Sequence, residues 1–146
     1  MFKNILIPTD GSEQSQRAVQ TGVELAKLHG ARITGIHVIP DYHLLIAYEG
    51  AFDPVTEERI EEEAKARADS YLAFIRTTAA DAGVPCTTVC ETSDHPYDAI
   101  LRTAEANHCD LILMTSHGRK GLAAVLLGSE TRKVLTHAAV PVLVVR

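Results

Sequence analysis

Two stretches of this chain carry residue types that hold or act on an anion. Pro8-Thr9-Asp10-Gly11-Ser12 follows the apolar run Asn4-Ile5-Leu6-Ile7. Farther along, Met114-Thr115-Ser116-His117-Gly118 leads through a loop to Gly128-Ser129. Gly118 lets backbone come close to a ligand. Gly128-Ser129 places free N–H groups and a hydroxyl at a helix start, which attracts anions through its unpaired donors and its dipole. Taken alone, the same residues also serve as ordinary turn and cap residues. The chain has no G-x-x-x-x-G-K-[ST] motif, and the glycines after the first apolar run do not form G-x-G-x-x-G. A Walker-type NTPase and an NAD dehydrogenase are therefore disfavoured.

Ser116, His117 and Asp10 supply the residue types of a nucleophile, a base and an orienting acid. Neighbouring loop residues rarely point at each other, however, and no G-x-S-x-G elbow is present. His117 is read as a loop or core-edge histidine that positions backbone, and no catalytic residue is assigned. Cys86, Cys90 and Cys109 lack C-x-x-C spacing and do not supply a four-ligand zinc set, so buried or half-buried free thiols are expected. The acidic run Glu57, Glu58, Glu61, Glu62, Glu63 reads as a solvated helix face, aided by the dipole and by Glu61–Lys65 and Glu63–Arg67 pairs.

The elements that carry these residues alternate between strand and helix patterns, as in βαβ units around a parallel sheet. The expected strands are 4–8, 33–39, 84–91, 110–114 and 140–145. A helix capped by Ser12 or Asp10 presents Ala18, Val19, Gly22, Val23, Leu25 and Ala26, and Gly30 stops it. The longest helix, 55–82, presents Ala64, Ala68, Tyr71, Leu72, Ile75 and Ala79. A third opens at Pro96 and presents Tyr97, Ile100, Leu101 and Ala104. The last starts at Gly128-Ser129 and is expected to bury Val134, Leu135 and Ala138. The segment from Pro40 to Pro54 is too irregular to assign. At 146 residues, with 46% hydrophobic content and no linker or repeat, the chain reads as one α/β domain, 1–146.

Net charge is -5 and Lys and Arg are thinly spread. Nucleic-acid binding draws most of its affinity from phosphate neutralisation by a basic patch, so that role is disfavoured. No apolar run approaches the ~20 residues that span a bilayer. Met1-Phe2-Lys3-Asn4 leads directly into a strand pattern rather than a signal peptide. A cytoplasmic protein with no membrane partner is expected.

In the same order along the chain, Asn4 to Ser12, His37-Val38, Asp110-Leu111-Ile112-Leu113-Met114-Thr115-Ser116-His117-Gly118-Arg119, Leu127-Gly128-Ser129 and Val140-Pro141-Val142-Leu143-Val144-Val145 resemble universal stress proteins. Only the Pro40–Pro54 stretch lacks a family-like pattern. The resemblance implies a single open five-stranded parallel sheet with helices on both faces, Rossmann-like and of the adenine nucleotide alpha hydrolase type. It implies an ATP-binding stress-response protein that forms a homodimer through Val140–Val145 and signals to an unidentified protein partner. Slow ATP hydrolysis and a nucleotide-free interaction module of the same family are the alternatives.

The family's ATP-binding branch is marked by G-x-x-G-x₉-G-[ST]. Gly118, Gly128 and Ser129 match, whereas Thr115 stands where the first glycine belongs. A threonine there adds bulk and resists positive φ, although its hydroxyl offers a donor to phosphate. By position, the resemblance puts Pro8, Thr9 and Asp10 near adenosine, with Asp10 also at any Mg2+ or Mn2+. It puts Val38 at adenine and Met114 and Thr115 along the nucleotide. Gly118, Gly128, Ser129 and Glu130 follow ribose and phosphates. Arg119 and Lys120 supply outer charge or are simply exposed loop cations.

Overall fold

The computed structural model describes residues 1–41, 54–117 and 127–146. Five parallel strands form one sheet: β1 (Asn4–Pro8), β2 (Arg32–Ile39), β3 (Cys86–Thr92), β4 (Leu111–Thr115) and β5 (Val142–Val145). Among the described residues four helices connect or flank them: α1 (Glu13–His29), α2 (Pro54–Asp81), α3 (Pro96–Ala106) and α4 (Ser129–His137). Strand order is β3-β2-β1-β4-β5.

Alternation of side chains along each strand gives the sheet two buried faces. Ile5, Ile7, Ile33, Leu111 and Leu113 pack with Val19 and Val23 of α1 and Leu72 and Ile75 of α2. Leu6, Ile36, Ile112 and Met114 pack on the other face with Ile100 of α3 and Val134 of α4. Helices thus cover both faces, as the family resemblance implied.

The expected strand starts at 84 and 140 move to Cys86 and Val142. Both regions contain a proline, which cannot donate to a ladder. Their carbonyls still accept: Ile33 N–H donates to Pro85 O at 2.8 Å, and Ile112 N–H to Pro141 O at 3.0 Å. Ser12 is the cap of α1 and its Oγ accepts from Ser15 N–H at 3.2 Å, while Gly30 ends the helix at φ 63°. Leu135 departs from expectation: it is 41% exposed, and Val134 is the fully buried aliphatic of this short helix. Cys90 is likewise exposed rather than buried, because β3 is an edge strand; Cys86 is half-buried and Cys109 buried, all three as free thiols. Desolvation pushes the Cys109 thiol up despite the opposing hydrogen bond from Thr34. The Glu61–Lys65 and Glu63–Arg67 pairs form at 3.8 and 4.0 Å on the exposed side of α2. Among the described residues no helix is long and apolar enough to cross a membrane.

Candidate functional site

Strand order reverses beside β1: the chain builds outward through β2 and β3, then returns to place β4 on β1's other side. At such a point the connections leave the carboxyl ends of neighbouring strands in opposite directions and open a crevice. A cavity of about 640 Å³ lies there, within the size range of small-molecule sites. Pro8, Thr9 and Asp10 line it from the end of β1, Val38 from β2, and Met114 and Thr115 from β4. Gly128, Ser129 and Glu130 line it from the start of α4. Nine sequence-derived positions therefore share one cavity. Gly118 and Arg119, with Lys120, lie outside the described residues, as does most of the Pro40–Pro54 stretch.

The start of α4 is an arrangement of donors. Gly128 caps the helix with no side-chain capping bond. Its own N–H is not free, as the sequence suggested, but donates to Ser116 O at 2.7 Å. A Cβ on Gly128 would sit 3.1 Å from that same oxygen, so the close approach of the two backbones favours glycine. Among the described residues, no carbonyl accepts from the amides of Ser129, Glu130 and Thr131, the first residues of the helix. All three residues line the cavity.

Two further expectations change. The Thr115 hydroxyl donates to His117 O at 2.7 Å and so is committed within the loop. Strain at Thr115 does not arise either: it ends β4 in register with Val145, and His108 alone has positive φ among the described non-glycine residues. Glu130 lines the cavity, but its carboxylate is engaged elsewhere. Oε2 accepts from Tyr97 N–H at 2.9 Å and Oε1 lies 3.0 Å from Lys133 Nζ. Glu130 therefore caps α3, whose own cap residue His95 makes no side-chain capping bond.

Asp10 Oδ1 accepts from Ser12 N–H at 3.0 Å, which folds the turn between β1 and α1. Gly11 stands in that turn at φ 76°, and a Cβ there would overlap the Tyr71 ring. Among the described residues no group of three or more His, Cys, Asp or Glu gathers to hold a metal. A divalent ion at Asp10 would have this carboxylate, phosphate oxygens and water as ligands, a set that suits Mg2+.

Ser116 Oγ and His117 Nδ1 lie 3.0 Å apart, but Ser116 is buried and absent from the cavity wall. His117 Nε2 is buried without a partner among the described residues, so Asp10 does not orient it. The nucleophile–base–acid arrangement is not assembled.

The structure adds wall residues that the sequence reading did not assign to the site: Ser15, His37, Arg67, Tyr71 and Thr131. Arg67 and Tyr71 are one turn apart on α2, which packs against β2 and β3, and both line the cavity. The Tyr71 ring meets His37 edge-on at 5.1 Å.

The Universal stress protein family matches residues 1–146. A universal stress protein from Thermus aquaticus is 34% identical, with all of both chains covered. Protein MJ0577 of Methanocaldococcus jannaschii, itself a universal stress protein, has a solved structure that superposes with a TM-score of 0.85 at 28% identity, covering 99% of this chain and 96% of that one. At 18% and 22% identity the same fold recurs in a universal stress protein from Archaeoglobus fulgidus in complex with dAMP, TM-score 0.72, and in one in complex with cAMP, TM-score 0.71. Those two chains are covered to 98% and 97%, and this chain to 99% in each case. This chain belongs to the universal stress protein family.

Proposed function

We propose that this protein binds ATP with Mg2+ or Mn2+ in the switch-point cavity and works in the cytoplasm as a regulatory homodimer that signals nucleotide occupancy to a protein partner. The observation that carries the reading is the pairing, in one cavity, of an amide-rich helix start with an apolar wall. Phosphate would meet the amides of Ser129, Glu130 and Thr131, and adenine would lie against Pro8, Val38 and Met114. Gly118, Arg119 and Lys120 belong to the same reading through the family motif. The adenine-nucleotide complexes of two fold relatives support the ligand class.

Magnitudes require both halves. Micromolar affinity needs about -8.2 kcal/mol, whereas a helix dipole contributes roughly 0.3–1 kcal/mol and a charge-assisted hydrogen bond about 1.5–3. Phosphate contacts alone fall short once association costs are included, so base burial must contribute. With no Trp and four Tyr, the chain absorbs weakly at 280 nm, and retained adenine would appear as excess absorbance near 260 nm. Calorimetric titration of the nucleotide-free protein with Mg-ATP is the direct test. Absence of heat and of retained nucleotide would leave the nucleotide-free interaction module as the reading.

A further inference from the structure

His37 has a fixed tautomer and a spare acceptor. Its Nδ1 lies 2.8 Å from Thr9 O. A backbone carbonyl only accepts, so Nδ1 must carry the proton and donate. In the neutral ring Nε2 is then a lone-pair acceptor. His37 makes no other hydrogen bond to the described residues, it is half-buried, and it stands in the cavity wall beside Val38. The edge-on contact with Tyr71 and the bond to Thr9 hold the ring from two sides. His117 Nε2 is the described side-chain atom that is sealed away and unpartnered; His37 Nε2 is not sealed.

We infer that His37 Nε2 is a specificity-determining acceptor that reads a hydrogen-bond donor on the nucleoside end of the ligand. This rests on the ATP reading above, in which phosphates occupy the α4 end and the nucleoside lies near the ends of β1 and β2. Two donors on an adenine nucleoside have the right chemistry: the amino group on C6 and the ribose hydroxyls. An oxo group on C6, as in hypoxanthine or guanine, would face Nε2 lone pair to lone pair. A partly desolvated acceptor left facing another acceptor disfavours that ligand more than a missing contact in water would.

The test compares Mg-ATP, Mg-ITP and the magnesium complex of 2′,3′-dideoxy-ATP on three proteins by calorimetry: wild type, His37→Asn and His37→Gln. The asparagine amide can reproduce the Nδ1 donor to Thr9 O but has nothing at the Nε2 position. Glutamine can restore an acceptor near Nε2. Wild type should favour ATP by about tenfold over whichever analogue lacks the donor being read, the size of one good hydrogen bond. The Asn variant should bring that ratio close to one, and Gln should restore part of it. Loss of the ratio for ITP assigns the base amino group, and loss for the dideoxy analogue assigns the ribose. Equal ratios in wild type and His37→Asn for both analogues overturn the inference while leaving ATP binding intact. If wild type binds none of the three, the functional reading itself fails. Circular dichroism and denaturant midpoints of both variants separate altered recognition from misfolding.

Discussion

The Thr131 hydroxyl donates to the Thr115 carbonyl at 3.0 Å and lies 3.4 Å from the Ser116 carbonyl. Thr131 is 4% exposed, so this bond is formed out of water. It ties the first turn of α4 to the end of β4, and the Gly128 N–H to Ser116 O bond adds a second tie one turn earlier. The turn that carries the Ser129, Glu130 and Thr131 amides is therefore held by a latch between strand end and helix start. Thr131→Val keeps the shape and removes the hydroxyl. It should cost about 1 kcal/mol of folding stability, the net worth of a typical hydrogen bond, and weaken Mg-ATP severalfold. Denaturant midpoints and calorimetry measure the two effects. Lowered stability with unaltered affinity would show that the latch does not aim the donors.

Thr115 occupies the place of the first motif glycine without backbone strain, and its hydroxyl closes the loop onto His117 O. Glycine at this position removes that bond and adds backbone freedom to the end of β4. Thr115→Gly should lower stability by roughly 1 kcal/mol and leave Mg-ATP affinity within a few-fold of wild type. A sharp gain in affinity would mean that the threonine side chain was excluding nucleotide.

Much of this architecture could be read from residue order, because apolar runs and cap residues act locally. Ser12 and Gly30 bound α1 as their chemistry requires, and alternate aliphatics such as Ile5, Leu6 and Ile7 divide between the two faces. The C-terminal ends of β1, β2 and β4 gather the expected Asp10, Val38 and Met114. What stayed hidden depends on how helices cross the sheet. Nothing in the spacing of Arg67 and Tyr71 along α2 says that both reach the cavity, nor that Glu130 of α4 caps α3 through Tyr97 N–H. His37 was visible as part of a family-like pair, but its tautomer depends on the Thr9 carbonyl across the β1–β2 boundary. Leu135 and Cys90 failed for a similar reason: exposure at a short helix or a sheet edge depends on which neighbour is absent.

Gly11 and Tyr71 form a second point of coupling. The glycine takes φ 76°, and its missing Cβ leaves room for the aromatic ring that walls the cavity. Gly11→Ala meets both obstacles, positive φ and overlap with Tyr71. It should destabilise by about 2 kcal/mol, within the range for strain at a special backbone position. Combining it with Tyr71→Ala should recover the steric part but not the φ part, giving non-additive stabilities in a double-mutant cycle. Strict additivity in denaturant unfolding would separate the two residues energetically.

β5 is an edge strand, paired with β4 on one side and with nothing described on the other. Its sequence Val-Leu-Val-Val is apolar, Leu143 is 41% exposed, and no charge guards the edge between Val142 and Val145. An open edge of this kind favours pairing with a second strand, and a second copy of the same segment offers one related by a two-fold axis. The homodimer proposed here places its contact on this strand. Val144→Lys puts an ammonium group on a half-buried edge position that would be desolvated on pairing, and a charge that finds no partner there opposes association. Sedimentation velocity should shift from dimer toward monomer in this variant, while far-ultraviolet circular dichroism stays that of the folded α/β domain. A dimer that persists unchanged would move the interface away from β5.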